Sequence, residues 1–406
     1  MALTTESHRL RVRTGVFCLG KAGTTPTLIG SMNLQSLLLS SDEKTIRILR
    51  RVLSDLDISV EHCSDADDAI RRITRQRFEA IIVDAASPEA SSVLRGAQAA
   101  PVNKRALTIV LVESSVGLKG GFEMGAHFVL HKPFAVERAK ASFRAVRALM
   151  KRERRVKMRV PVEIPVECSG KGQYTAKTID LCEGGMALQF SGRVAKESSL
   201  RFSLELPGMN KKLEIAGELA WEGHGRQAGV RFKDATDEQR NILRQWLNSQ
   251  LPEPEQDDPP LSCHLTDLSL GGGYLTTSSP FPRGTRVILK IKTADIEVRA
   301  GGVVLVAHPE FGMGVEFLQT TAEQRDHVLR MITTLRENRD KSPELQVEPD
   351  GLETPSNDGL ATFQVSATEG SEDALVDLFR QQFQAPVETF LEQLREQRQS
   401  TSVIST

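Results

Sequence analysis

The period of the apolar positions changes twice along the chain. LQSLLL, from Leu34, is an apolar run of buried-strand length, and TIRILRRVLSDL after it spaces its apolar residues three and four apart, as a helix does. ISVEHCS alternates as a strand, and ADDAIRRITRQR returns to helical spacing. FEAIIVDA, ALTIVLVES and HFVLHKP then read as strands and VERAKASFRAVRALMKRE as a helix. Strands alternating with helices predict a doubly wound parallel sheet covered on both faces over residues 34–150. Residues 1–33 mix Thr, Gly and Arg without a sustained period and read as a disordered leader.

After residue 150 the strands shorten: VPVEIPVEC, YTAKTIDL, MALQF, LRFSLEL, KKLEIAGELAWEG and AGVRFK, closed by the helix DEQRNILRQWLNSQ. Regular short strands with Gly-rich turns predict an antiparallel β-barrel over 151–250. LPEPEQDDPP, residues 251–260, is a Pro and acid linker. The pattern then returns over 261–338, where GVEFLQTTAEQRDHV repeats GVRFKDATDEQRNIL about 85 residues on, the mark of a tandem duplication. In the second copy the first strand is missing. Residues 339–371, rich in Pro, Glu, Ser, Asp and Gly, read as a disordered linker. Residues 372–398 form an amphipathic helix with Leu375, Phe379, Phe383, Val387, Phe390 and Leu394 on one face, interrupted by Pro386, and that stripe calls for a partner surface.

Charge narrows the partners. With 52 basic and 53 acidic residues the chain has no global field to draw a nucleic acid polymer or an anionic membrane, so an anion site must be local. No run is long enough to insert in a membrane and no signal peptide is evident, which predicts a cytoplasmic protein. The five cysteines, Cys18, Cys63, Cys168, Cys182 and Cys263, are odd in number and widely spaced, arguing against disulfides and against a zinc site.

Chemistry concentrates in KRERRVKMRVPV, where Lys151, Arg152, Arg154, Arg155, Lys157 and Arg159 face one acid, Glu153. Guanidinium forks pair with phosphate oxygens and with the O6/N7 edge of guanine, so clustered arginines suit a guanine nucleotide. Read alone, such a run would simply be solvated and meet the helix dipole. About two dozen residues after the RxxxR of Arg155 and Arg159 comes the turn DLCEGG, from Asp180 to Gly185, and about ninety residues after that its echo DLSLGG, with Asp267, Ser269 and Gly272.

These motifs resemble those of the PilZ family, six-stranded barrels that bind cyclic di-GMP through RxxxR and [DN]-x-S-x-x-G. The resemblance covers 151–250 well and 257–336 partly. It implies that Arg155 and Arg159 clamp guanine and phosphate, with Arg154 a weaker candidate. Asp180 would accept from a guanine edge, and Gly184 and Gly185 would let the backbone turn close to the ligand. Cys182 departs from the family's serine. Losing one ordinary hydrogen bond is worth roughly 0.5–1.5 kcal/mol, which weakens such a site without abolishing it. The second turn matches fully, but no arginine lies between Leu251 and Ser269, so Asp267, Ser269 and Gly272 are expected to form a packing turn without an independent site.

Residues 34–150 resemble the response-regulator receiver, a flavodoxin-like fold. The resemblance makes Asp84 the phosphoacceptor position, followed by Pro88, and matches Lys132-Pro133. The carboxylate pair that would hold Mg²⁺ reads Ser40-Ser41, with Asp42 and Glu43 out of register, and Glu113 replaces the Thr or Ser after the fourth strand. The expectation is a pseudo-receiver with vestigial Asp84 and Lys132 and no Mg²⁺, used for docking or for a possible homodimer.

Catalytic patterns are thin. No HExxH, G-x-S-x-G or phosphate loop is present. His127 and His131 read as half-buried strand residues, and Trp221 and Trp246 as packing the first barrel against its closing helix. The expected architecture is therefore a pseudo-receiver, two PilZ-like barrels and a C-terminal helix, with no enzyme activity, cofactor or metal. The leading functional expectation is a cyclic di-GMP receptor signalling to a protein partner through the pseudo-receiver or the C-terminal helix. A non-binding scaffold, or a response regulator switched by phosphorylation at Asp84, are the alternatives.

Overall fold

The run Leu34–Leu39 forms β1, inside a five-stranded parallel sheet, in a computed structural model of the chain. The structure describes residues 34–113, 117–156, 158–170, 172–192, 200–209, 212–251, 256–292, 297–309, 311–337, 344–352, 373–382 and 387–402. The expected leader 1–33 lies outside them. The chain divides into two compact units: the first barrel, within Arg154–Asp257, and the front domain with the second barrel, within Asn33–Glu153 and Asp258–Thr406.

In the front domain β2 (Ile58–Cys63), β3 (Ala80–Asp84), β4 (Leu107–Glu113) and β5 (Phe128–Lys132) join β1 in the order β2-β1-β3-β4-β5, the flavodoxin-like order. α1 (Glu43–Ser54) begins where the Asp42 carboxylate accepts from the Lys44 amide at 3.0 Å, and α2 (Ala66–Arg75) where Asp65 accepts from Asp68 at 2.9 Å. Leu49 and Val52 of α1 share one face of the sheet with Phe143 and Leu149 of α5 (Val136–Val156); Ala69 and Ile73 of α2 lie on the other face. Two further helices, α3 (Ala90–Ala99) and α4 (Gly117–Glu123), do not stand out in the sequence. Ser91, Ser92 and Gly96 lower the helix propensity of α3, and burial of Val93, Leu94 and Ala97 overrides it. His127 accepts the Thr108 amide on Nδ1 at 3.0 Å, and burial lowers its imidazole to about 4.

The first barrel is a closed ring of six antiparallel strands. β7 (Pro165–Ser169), β8 (Gln173–Cys182), β9 (Gly185–Phe190), β10 (Leu200–Glu205), β11 (Lys212–Glu222) and β12 (Gln227–Lys233) run round in the order β7-β10-β11-β12-β9-β8. VPVEIPVEC is therefore two strands, since β6 (Val160–Pro161) precedes β7 and pairs with β8. Phe202, Met186, Ile215 and Val230 fill the interior, and α6 (Asp237–Ser249), opened by a Thr236–Gln239 capping box, adds Leu243, Trp246 and Leu247. Trp246 donates to the Pro207 carbonyl at 2.9 Å. The expectation for Trp221 fails: it is 38% exposed and lies across β12, where a Cβ on Gly229 would fall 2.0 Å from its indole nitrogen.

The second barrel corrects two expectations. β13 (Leu261–Leu268), β14 (Gly272–Thr276), β15 (Thr285–Lys292), β16 (Glu297–His308) and β17 (Gly312–Phe317) repeat β8 to β12, and α7 (Ala322–Glu337) repeats α6. The absent first strand is supplied from beyond α7, by β18 (Glu344–Leu352), which closes the ring β13-β14-β17-β16-β15-β18. β18 pairs antiparallel with β13 and β15 just as β7 pairs with β8 and β10, so the second barrel is a circular permutant of the first. Residues 344–352 are thus no disordered linker. Leu345 and Val347 point into the core while Gln346 and Glu348 are half-buried, the strand alternation. The remainder of 339–371 lies outside the described residues.

α5 joins the front domain to this barrel. Ala145 and Ala148 pack in the core of the second barrel, whereas Phe143 and Leu149 face the parallel sheet. Polar pairs reinforce the joint: Arg147 and Lys151 meet Asp258 at 2.5 and 2.8 Å, Arg152 meets Asp350 at 3.0 Å, and Glu153 accepts the Leu352 amide at 2.7 Å. Lys151 and Arg152 of the basic run are therefore structural.

The C-terminal stripe also finds its surface within the chain. It is two helices, α8 (Ala374–Gln382) and α9 (Val387–Ser402). Leu375, Val376, Phe379, Phe390 and Leu394 cluster with Tyr274, Val303, Leu305 and Val306 on the outside of the second barrel. The apolar stripe expected to call for a partner surface is thus covered by the second barrel of the same chain; Phe383 lies outside the described residues. No described helix is long and apolar enough to cross a membrane.

Candidate nucleotide-binding site

The first turn is a tight hairpin corner. Cys182 of β8 pairs with Gly185 of β9, leaving Glu183 and Gly184 as the loop. Glycine is required at 185, where a Cβ would fall 2.1 Å from the Val230 carbonyl oxygen. At Gly184 a Cβ would meet nothing within 4 Å, so the fold does not demand glycine there, and the space beside it is open. Burial raises the Cys182 thiol above its ordinary value, offset by Arg159 and by the amides of Gly184 and Gly185. The second turn shows the same use of this position: the Gly272 amide donates to the Ser269 hydroxyl at 3.1 Å. Ser269 thus braces its corner through a hydrogen bond, and Cys182 holds the equivalent place as a buried thiol.

The short pairing of β6 with β8, Val160 with Leu181 and Pro161 with Asp180, draws the lead-in against the turn. Arg159, the residue before β6, donates from Nη1 to Asp180 Oδ1 at 2.6 Å, and Asp180 also accepts the Ala187 amide at 3.2 Å. Arg155, at the end of α5, donates from Nη2 to Glu183 Oε1 at 3.1 Å. Both arginines of RxxxR therefore reach the turn, and Arg154 is half-buried beside them. Their exposure differs: the Arg159 side chain is 39% exposed and the Arg155 side chain 4%.

Three partners of Arg155 escape sequence reasoning. Besides Glu183, its guanidinium meets Asp257 at 3.0 Å and Asn248, on α6, at 2.5 Å. Arg244 of α6 also approaches Asp257, at 3.5 Å. Asp257 reads in sequence as one more acid of a solvated linker, and no local pattern ties it to an arginine about a hundred residues earlier.

The second turn is closed over. The Gly271 amide donates to Asp373 Oδ2 at 2.8 Å, and a Cβ at Gly271 would fall 2.9 Å from both Asp373 and Val376. Asp373 also caps α8 through the Leu375 amide at 3.1 Å. Asp267, Ser269 and Gly272 thus belong to a corner covered by α8, with no counterpart of RxxxR brought to it among the described residues.

In the front domain Asp84 is 2% exposed, and both its oxygens are engaged. Oδ1 accepts from Lys132 Nζ at 2.9 Å and the Ala86 amide at 3.1 Å; Oδ2 accepts from Lys132 at 3.0 Å and Ser40 Oγ at 2.9 Å. Ser40, where the sequence reading looks for a metal-binding carboxylate, thus donates a hydrogen bond to Asp84. Glu113 lies 3.7 Å from Lys132. Asp42 is spent on its helix cap, where a hydrogen bond from Thr45 holds its carboxyl below the usual value.

The PilZ domain model matches residues 151–249 and 251–334. Curated proteins give no match. Among solved structures, the receiver domain of a sensor histidine kinase from Pseudomonas aeruginosa PAO1 is 22% identical over 29% of this chain and 98% of that one, with TM-score 0.26. The PilZ domain of CeSA from a cellulose synthesizing bacterium is 20% identical over 23% of this chain and 98% of its own, TM-score 0.20. An inhibitor of motility from Bacillus subtilis, MotI/DgrA, is 15% identical over 23% of this chain and 48% of its own, TM-score 0.21. The chain thus carries a flavodoxin-like parallel-sheet domain followed by two β-barrels that match the PilZ domain model, the second permuted by one strand.

Proposed function

We propose that the first barrel is a cyclic di-GMP receptor site and that the chain is a cytosolic signalling protein acting through a protein partner. The observation that carries this reading is the convergence of Arg155 and Arg159 on the Asp180–Gly185 turn. Arg159, the more exposed of the two, supplies a fork for phosphate or for a guanine edge. Asp180 orients it and offers an acceptor to guanine N–H groups. Gly184, with nothing within 4 Å of its missing side chain, leaves the corner open to a flat base. Cys182 is assigned a bracing role in the corner, so its replacement of serine leaves the ligand contacts intact. The second PilZ domain, its corner under α8, has a structural role in this reading, as does the front domain, whose Asp84 is held by Lys132 and Ser40 without a phosphoryl group.

A scaffold that binds no nucleotide is the second reading, and the burial of Arg155 among Glu183, Asp257 and Asn248 favours it. Calorimetric titration of the full chain with cyclic di-GMP separates the two. Saturable heats at micromolar ligand, lost in Arg159→Ala, support the receptor; flat heats for the unaltered chain leave the scaffold.

A further inference from the structure

We infer that Asp257 restrains Arg155 in a self-inhibited state, so that the linker and an incoming nucleotide compete for one guanidinium. The inference rests on the first barrel being the cyclic di-GMP site and concerns how that site is set. A guanidinium offers five N–H donors in a fixed plane, and pairing with a phosphate or a guanine edge takes two of them in parallel. Arg155 has Nη2 between Glu183 and Asp257 and Nη1 on Asn248, with its side chain only 4% exposed. A ligand can engage it in paired fashion only by displacing one of these neighbours.

Asp257 is the neighbour that yields. Its Oδ2 serves both Arg155 at 3.0 Å and Arg244 at 3.5 Å, while Oδ1 is buried and accepts no hydrogen bond among the described residues. A half-buried carboxylate whose buried oxygen stands idle has surrendered part of its hydration without full return. Glu183, by contrast, belongs to the corner itself, and Asn248 to α6. The Asp257 amide donates to Asn248 Oδ1 at 2.9 Å, so carboxylate and backbone leave together. The next residue, Asp258, is gripped by Arg147 and Lys151. Release of Asp257 therefore loosens the connection at its first-barrel end alone, and one peptide bond separates the ligand-sensitive acid from the fixed one.

Two measurements on the full chain test this. In calorimetry, Asp257→Asn weakens the restraint while keeping the side chain's shape, and is expected to bind cyclic di-GMP about fivefold or more tightly than the unaltered chain. A residue that merely shaped the site would give the opposite sign. Equal or weaker affinity in the variant, with the unaltered chain binding, overturns this inference and leaves the receptor reading standing. Absence of heat from both chains overturns the two together. Hydrogen exchange on the unaltered chain needs no variant: saturating ligand is expected to speed exchange in a peptide covering 248–258, and unchanged or slower exchange there defeats the inference even if the variant misfolds.

Discussion

Arg159 and Asp180 meet at 2.6 Å across the Pro161–Asp180 rung of the β6–β8 pairing, so the strand contact that brings lead-in and turn together also joins their charges. Both side chains remain partly exposed, 39% and 23%. An ion pair this open adds less than about 1 kcal/mol to folding. Arg159→Ala is accordingly expected to abolish cyclic di-GMP binding in calorimetry with little change in the urea midpoint. Arg159→Lys is expected to bind poorly as well, because an ammonium lacks the planar fork.

Asp84 is expected to take no phosphoryl group. Lys132 and Ser40 occupy its oxygens, and the residues that would hold Mg²⁺ are Ser40 and Ser41. Acetyl phosphate with Mg²⁺ should leave the intact mass of the chain unchanged. Asp84→Ala removes the short ion pair of Lys132, whose side chain is 11% exposed, leaving it Glu113 at 3.7 Å, and should cost about 3 kcal/mol in chemical denaturation.

Val347 tests the permuted strand. It is fully buried in the second barrel, between partners on β13 and β15. Val347→Asp places an uncompensated carboxylate there and should destabilise the unit by several kcal/mol. If 344–352 were a loose linker, the substitution would leave the denaturation curve unmoved.

His308 makes the same unit sensitive to acid. Burial lowers its imidazole from 6.5 to about 4, with Glu388 pulling weakly the other way. It sits against Tyr274 and Phe390, its Nδ1 3.1 Å from the tyrosine hydroxyl. Below about pH 6.5 the unfolded chain takes a proton that the folded chain refuses until about pH 4. Stability contributed by the neutral ring is thus present above 6.5 and lost as pH falls through that window, by at most about 1.4 kcal/mol per pH unit. Because His127 shifts in the same direction, the check is the difference between the unaltered chain and His308→Gln, whose urea midpoint should fall less between pH 7 and 5.

Much of this fold is legible in the sequence itself. The helical spacing of TIRILRRVLSDL, the alternation in the barrels and the repeat of GVRFKDATDEQR each report a local regularity, and local regularity is what a sequence displays directly. RxxxR and the DLCEGG turn are likewise short local patterns, and it is the resemblance they carry that points to Arg155, Arg159 and Asp180. What escaped depends on distant partners. β18 holds only Leu345 and Val347 as inward apolar residues before Pro349 and Gly351, so its pattern is too short to stand out from the acidic stretch around it. Glu183, Asn248 and Asp257 carry no signature of their own; only folding brings them to Arg155. The C-terminal stripe was visible, but a stripe says that it must be covered and not by what.

The permuted strand also sets an order of events during synthesis. The first barrel owns its complete set of strands by Lys233, so it can close as soon as that length has left the ribosome. The second has two open edges, on β13 and β15, until Leu352 is made, which at 5–20 residues per second leaves them waiting for a few seconds after β17 appears. By that interval β7 of the finished barrel, the counterpart of the missing strand, is already paired on both sides, with β8 and β10, and has no open edge to lend.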